Sequence, residues 1–354
     1  MNNIKKVSQA LSEHEFGAML ITGAANRLYT GGFASSAGAY LITPQDAWFL
    51  VDSRYVEAAK KKITGAEIIL VAKGETFPEK IGNLLKENGI SSVGFEDSSV
   101  TYGEFLKWEE KFEAKLVPGS KLMTGLRAIK SEEDLNGIIK AQRIAEKAFE
   151  EVLPLINSSI TEKQLAAELV YRMVKSGADD KAFDPIVVSG PRSSLPHGVP
   201  TDSKIENGFL TIDWGARLDG WRSDCTRTLA IGSPSDEMVK VYETVLAAQT
   251  AGINAIHGGV SGKAVDTAAR NVIEEAGYGD YFGHGFGHAI GLEVHELPSC
   301  SQLSEDNLSV GVVITAEPGI YLPGRFGVRI EDTVFVTETG CENITKLPKK
   351  LLVI

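Results

Sequence analysis

Two aspartates, Asp213 and Asp224, stand in FLTIDWGARLDGWRSDCTRT (residues 209–228), whose alternation of apolar and polar residues reads as a β-hairpin. With residues 217–220 as the connecting loop, Asp213 faces Asp224, and side chains so opposed have Cβ atoms about 5 Å apart. Like charges in that position destabilise a sheet unless one carboxylate is protonated, a cation lies between the two, or the register differs. Taken alone, the pair fits a solvated hairpin better than a metal site.

Other residues lean towards the metal. His284 and His288 lie in GHGFGH (residues 283–288), where interleaved glycines argue for an irregular loop and against two ligands on one helical face. His295 follows the apolar run 290–294. Glu317 ends a β-type run immediately before Pro318-Gly319, and alternation in GVRIEDTV (residues 327–334) puts Arg329, Glu331 and Thr333 on one face. An Arg329–Glu331 surface ion pair is the ordinary account of that segment. Two Asp, two Glu and one or two His form an oxygen-rich set suited to Mn²⁺, Fe²⁺, Co²⁺ or Zn²⁺. Four carboxylates balance two divalent ions, and a hydroxide held by such ions is a nucleophile near neutral pH. The arithmetic describes a two-metal hydrolase.

The chain that must position these groups has 354 residues, enough for two or three domains, with 43% apolar and 23% charged residues, ordinary for a soluble globular protein. A net charge of −11 argues against nucleic acid and anionic membrane surfaces as main partners. The N-terminal lysines precede no apolar run of signal-peptide length, and no stretch of 18 apolar residues occurs, so the expected location is cytoplasmic. The cysteines Cys225, Cys300 and Cys341 are far apart and form no CxxC pair, which speaks against a disulfide framework or zinc ribbon; Cys225 reads as a small buried residue.

Residues 1–120 alternate strands (17–22, 39–42, 47–51, 67–71, 92–95) with helices (77–88, 102–112), an α/β pattern. Asp52-Ser-Arg-Tyr55 reads as a solvated turn. A boundary near 122 gives domains 1–122 and 123–354. In the second, SEED (131–134) and TEKQ (161–164) have capping-box spacing ahead of two helices, residues 183–232 are β-rich, and further helices cover 235–257 and 261–276. That domain reads as α+β.

Five strings occur in order: SGPRSSLPHGVPTDSKIENG (189–208), DWGARLDGWRSDCTRT (213–228), HGFGHAIGLEVHE (284–296), ITAEPGIYLPG (314–324) and GVRIEDTV (327–334). Together they resemble the pita-bread metallopeptidases, peptidase family M24, and among them the Xaa-Pro peptidases prolidase and aminopeptidase P. The resemblance implies a pita-bread catalytic domain preceded by a smaller α/β domain of the creatinase/prolidase N-terminal type. It implies metal ligands Asp213, Asp224, His288, Glu317 and Glu331, with Asp224 and Glu331 bridging two divalent ions, Mn²⁺ first and Co²⁺, Fe²⁺ or Zn²⁺ as alternatives. Glu317 would also take the proton of the attacking water, and His284 and His295 would contact the substrate carbonyl and the oxyanion. His197 would hold the prolyl substrate, and Arg329 would orient ligand or substrate carboxylates. Partners would be short proline-containing peptides and a second copy of the chain. Trp221 and Arg222, beside the hairpin loop, are where substrate preference is expected. The short chain leans towards a dipeptidase; an aminopeptidase acting on longer Xaa-Pro peptides and, remotely, a non-catalytic binding module are the alternatives.

Overall fold

In the computed structural model, which describes residues 2–354, the chain divides into two units, Met1–Arg127 and Ala128–Ile354. The first carries strands β1 (Ala18–Ile21), β2 (Ala39–Ile42), β3 (Ala47–Asp52), β4 (Glu67–Val71), β5 (Ser92–Phe95) and β6 (Lys115–Pro118). Its helices are α1 (Ile4–Ala10), α2 (Ala24–Gly31), α3 (Val56–Lys62), α4 (Phe77–Glu87), α5 (Tyr102–Lys111) and α6 (Ser120–Ala128). The strands form one mixed sheet in the order β4-β3-β2-β1-β5-β6. β1 and β2 are buried at every position, as the apolar runs AMLI and AYLI demand of strands covered on both faces. Asp52 and Arg54 form the expected solvated turn, their side chains 2.7 Å apart with Arg54 63% exposed.

The second unit begins with α7 (Glu132–Val152) and α8 (Glu162–Lys175), each started by the capping box read from sequence, Ser131 with Asp134 and Thr161 with Gln164. α7 buries Ile138, Ala141, Ala145, Phe149 and Val152. After β7 (Asp180–Lys181) and β8 (Ile186–Ser189) come β9 (Gly208–Trp214), β10 (Ala216–Leu218), β11 (Trp221–Arg222) and β12 (Cys225–Ile231). Phe149 stacks on Trp214 at 4.6 Å, and the Trp214 indole N–H donates to the Ala145 carbonyl at 2.8 Å, which ties α7 to the end of β9. The paired helices α9 (Asp236–Ala255) and α10 (Gly262–Glu275) precede β13 (Gly287–Ala289), β14 (Glu296–Cys300), β15 (Val313–Ala316), β16 (Gly319–Leu322), β17 (Phe326–Arg329), β18 (Asp332–Val336) and β19 (Cys341–Asn343). Three strands order as β12-β9-β8 and five as β14-β13-β15-β18-β19. One apolar core lies among α7, α8 and the three-stranded sheet, the other among α9, α10 and the five-stranded sheet. This is the α+β class expected.

The hairpin register differs from the sequence reading. Arg217 pairs with Arg222 and Leu218 with Trp221, leaving Asp219-Gly220 as a two-residue turn. Both turn residues have positive φ, 52° and 87°, the conformation that Asp-Gly favours in the tightest hairpins. Asp213 therefore pairs with Thr226, and Asp224 falls in the break between β11 and β12. A slip of two residues keeps Asp224 on its expected face, because side chains alternate with period two.

Candidate metal centre and active site

Asp213 at the end of β9, Asp224 in the ladder break and Glu331 between β17 and β18 converge, with ligand atoms within 4.8 Å of one another and all three residues buried. The strand ends are stitched from both sides: the Thr226 hydroxyl donates to Glu331 Oε2 at 2.7 Å and the Glu331 amide donates to the Thr226 carbonyl at 3.1 Å. His288 arrives from β13 and Glu317 from the end of β15, their Nε2 and Oε1 atoms 3.2 Å apart; His288 Nε2 is also 3.9 Å from Asp224 Oδ2. β13 reaches this close because of Gly287, where a Cβ would lie 2.0 Å from the Thr315 carbonyl oxygen. His288 Nδ1 faces the Ala289 carbonyl at 3.1 Å, which directs Nε2 at the carboxylates.

Burial pushes the Asp224 and Glu331 carboxyls well above the usual carboxylate range, and the neighbouring acids add to it. Burial also raises Asp213, although the Arg329 guanidinium opposes it. Glu317 goes the other way: against the effect of burial, the hydrogen bond and charge of His288 hold it at about 2. His288 is correspondingly raised, burial being outweighed by Glu317. Asp213 Oδ1 and Glu331 Oε1 are buried and make no hydrogen bond. Buried acids with unsatisfied oxygens, faced by an imidazole nitrogen, fit a divalent cation.

Around this cluster a cavity of about 970 Å³ opens, with Ala166, Val170, Phe183 and Val199 as an apolar wall and His197 and His295 on its lining. His197 and His295 are exposed, and His295 packs edge-on against His288 with ring centres 4.4 Å apart. His284 is engaged at both nitrogens, with the Gly285 carbonyl at 2.9 Å and the Tyr321 hydroxyl at 3.0 Å; burial lowers its pKa and favours the neutral ring. Tyr321 also accepts from Arg329 Nη1 at 2.9 Å. The sequence reading missed Tyr321; its only signal is its position in the IYLPG run beyond Glu317.

The ordinary account of Arg329 and the expectation for Trp221 and Arg222 both fail on contact with the structure. Arg329 forms no surface pair with Glu331: it is 4% exposed and pairs with Asp213 at 2.6 Å. Trp221 and Arg222 do not line the cavity. Trp221 fills the space left by Gly137, where a Cβ would meet its ring at 2.2 Å, and Arg222 donates to the carbonyls of Leu292 and Ala182.

The profile described as "Metallopeptidase family M24" matches residues 136–338, and that described as "Creatinase/Prolidase N-terminal domain" matches residues 3–129. The chain is 42% identical to an uncharacterized peptidase of Bacillus subtilis, with 99% of each chain covered. It is 40% identical to the Xaa-Pro dipeptidase of Pyrococcus horikoshii, covering 99% of this chain and 98% of that one. Among solved structures, an Xaa-Pro dipeptidase from Bacillus anthracis superposes with a TM-score of 0.95 at 41% identity, 99% of each chain being covered. An X-Pro aminopeptidase from Thermotoga maritima superposes with a TM-score of 0.91 at 38% identity, over 98% of this chain and 100% of that one.

Proposed function

Because this chain belongs to metallopeptidase family M24, we infer that its acidic cavity is the active site of a metal-dependent Xaa-Pro dipeptidase, hydrolysing the bond before proline in short peptides. The observation that carries the reading is the convergence of Asp213, Asp224 and Glu331, with two orphaned oxygens among them and His288 and Glu317 alongside.

In this reading Asp213, Asp224, His288, Glu317 and Glu331 hold two divalent ions, Mn²⁺ before Co²⁺, Fe²⁺ or Zn²⁺. Such ions would supply Lewis-acid polarisation of the scissile carbonyl and a lowered pKa for a water. Glu317, at the end of β15 with Oε1 beside His288, would accept the proton that the water gives up. His295, exposed beside His288, offers its ring to the substrate carbonyl and the oxyanion. His284, on the lining of the same cavity with Nε2 against the Tyr321 hydroxyl, would meet the substrate carbonyl and oxyanion alongside His295, and His197 steadies the prolyl ring from the cavity wall. Arg329 orients Asp213.

A cytoplasmic location fits three unpaired cysteines, and no helix among the described residues is long and apolar enough to cross a membrane. A homodimer belongs to the same reading, and light scattering of the purified chain tests it. The decisive experiment strips the protein of metal and assays an Xaa-Pro dipeptide, an Xaa-Pro-Xaa tripeptide and an Xaa-Ala dipeptide with and without Mn²⁺. Restored cleavage of the first above the others supports the reading. Full activity of the stripped protein refutes the metal mechanism, and preference for the tripeptide turns the assignment to an aminopeptidase.

A further inference from the structure

The histidines His197, His284 and His295 all sit on irregular loops, where no sheet ladder or helix satisfies the backbone. Each loop contacts a buried carboxylate that lies outside the five acidic and imidazole groups of the proposed metal centre. We propose that Glu162, Asp266 and Glu296 are three independent clamps, each positioning one histidine for the reaction by gathering the amide or side-chain donors of its loop.

Glu162, the first residue of α8, is fully buried. It accepts from the Ser189 amide at 2.9 Å, the Thr201 amide at 3.0 Å and the Thr201 hydroxyl at 2.8 Å. Arg192 donates Nε to the same carboxylate at 3.2 Å and Nη2 to the Val199 carbonyl at 2.7 Å. The loop that carries His197 is thus held at both ends and near its middle. Asp266 on α10 is also fully buried; it accepts from the Phe286 amide at 3.0 Å and pairs with Arg270 at 2.9 Å. Arg270 in turn donates to the carbonyls of Phe282 and His284, each at 2.8 Å. Glu296 follows His295 directly. Its Oε1 accepts from the Leu292 and Glu293 amides at 2.9 and 3.2 Å, and its Oε2 from Lys130 at 2.8 Å. The Lys130 and Glu296 side chains are 1% and 5% exposed. Gly291 lets this carboxylate close on the loop, since a Cβ there would lie 2.7 Å from both its oxygens.

The chemistry is common to all three. A buried carboxylate is costly unless its oxygens are filled, and here charge-assisted bonds from a cation and from loop groups fill them. Such bonds fix a loop to within the fraction of an ångström that catalytic geometry needs. An amide in place of the acid removes the charge and sets an NH₂ group against an N–H donor of the loop or of its cation, so the clamp loosens.

The inference rests on the peptidase reading only for its kinetic half, and the test separates the two. Amide hydrogen exchange is measured on the full chain and on Glu162→Gln, Asp266→Asn and Glu296→Gln. Each variant should speed exchange in its own loop, residues 189–201, 282–286 or 291–296, and leave the other two at the wild-type rate. With Mn²⁺ present, each should slow Xaa-Pro hydrolysis roughly ten- to hundred-fold. That loss should vanish when the matching histidine is already alanine and persist when a different histidine is. Should an acid variant fail to fold, Thr201→Val probes the Glu162 clamp more gently, and the double variant Lys130→Met/Glu296→Gln, which leaves no charge of that pair buried alone, probes the Glu296 clamp. Equal acceleration of exchange in all three loops, or the same kinetic loss in matched and unmatched backgrounds, overturns the proposal. An inactive wild type overturns the peptidase reading alone, and the exchange data then decide the clamps.

Discussion

Arg329 Nη2 lies 2.6 Å from Asp213 Oδ2 in a buried ion pair that joins β17 to the end of β9. The same guanidinium donates to the Tyr321 hydroxyl at 2.9 Å, to the Thr226 hydroxyl at 3.1 Å and to the Pro196 carbonyl at 3.2 Å. One side chain thereby spans an acid of the proposed metal centre, the tyrosine that holds His284 and the turn that carries His197. It also sets the two oxygens of Asp213 apart: Oδ2 accepts from Arg329, and Oδ1 makes no hydrogen bond and would be open to a cation in the proposed centre.

Removing one partner of a buried ion pair costs about 3–5 kcal/mol, because the other charge stays desolvated. Arg329→Ala should lose that much in urea unfolding of the metal-free protein. Arg329→Lys keeps the charge but offers no planar fork to reach four acceptors, so it should fall between the two and still lose turnover. A metal-free Arg329→Ala midpoint equal to wild type would show that the pair contributes nothing.

Asp224 should have opposite effects with and without metal. Its carboxyl is raised by burial first and then by Glu331 and Asp213, so its charge opposes folding when no cation is bound. Asp224→Asn should raise the stability of the metal-free protein by about 1 kcal/mol or more. Wild type at a hundredfold excess of Mn²⁺ over its Kd should gain about 2.7 kcal/mol, and the variant should gain none. Thermal melts with and without Mn²⁺ read both; a variant that keeps the metal-dependent shift would remove Asp224 from the ligand set.

The parts of this molecule legible in its sequence are those fixed over a few residues. The capping boxes at Ser131 and Thr161 depend on donors three positions away, and both formed as read. The acids at strand ends were visible because residue type and alternation place them. What escaped depends on segments distant in sequence. Trp221 is drawn inward by a gap at Gly137, and Tyr321 matters through Arg329 and His284. Glu162 lies inside the TEKQ capping box, yet its partners are Ser189, Arg192 and Thr201. The hairpin register was a local signal passed over: Asp219-Gly220 specifies the two-residue turn that the four-residue loop obscured.

Alkaline pH should destabilise the fold through groups buried in their neutral forms. Burial pushes the Cys300 thiol up to about 12 and Cys341 to about 11, and Tyr242 rises to about 12. A raised folded pKa means that the folded state holds its proton where the unfolded chain has lost it. Stability from these groups is complete below the unfolded pKa, about 8.5 for a thiol and 10 for a tyrosine, and is lost as pH climbs towards the folded values. Urea midpoints should fall between about pH 9 and 11, and Cys300→Ala should make that fall shallower. An unchanged slope in the variant would remove Cys300 from the account.

The last test concerns what holds Asp224 in place. Gly215 sits in the break between β9 and β10, where a Cβ would lie 1.9 Å from the Ser223 carbonyl oxygen and 3.0 Å from the Ala182 side chain. The Ser223 backbone cannot simply retreat: its amide donates to the Ala216 carbonyl at 3.0 Å, and its hydroxyl accepts from the Ala216 amide at 3.0 Å. Since Ser223 immediately precedes Asp224, the strain of Gly215→Ala should pass directly into the metal centre. Overpacking of this kind costs about 1–3 kcal/mol, and Mn²⁺ affinity should fall in the folded variant as Asp224 shifts. Gly125→Ala, in a helix with open space around the added Cβ, serves as the control and should leave metal binding intact while raising stability by about 0.5–1 kcal/mol. If Gly215→Ala folds and binds Mn²⁺ as wild type does, the contact between Gly215 and Ser223 does not set the position of Asp224.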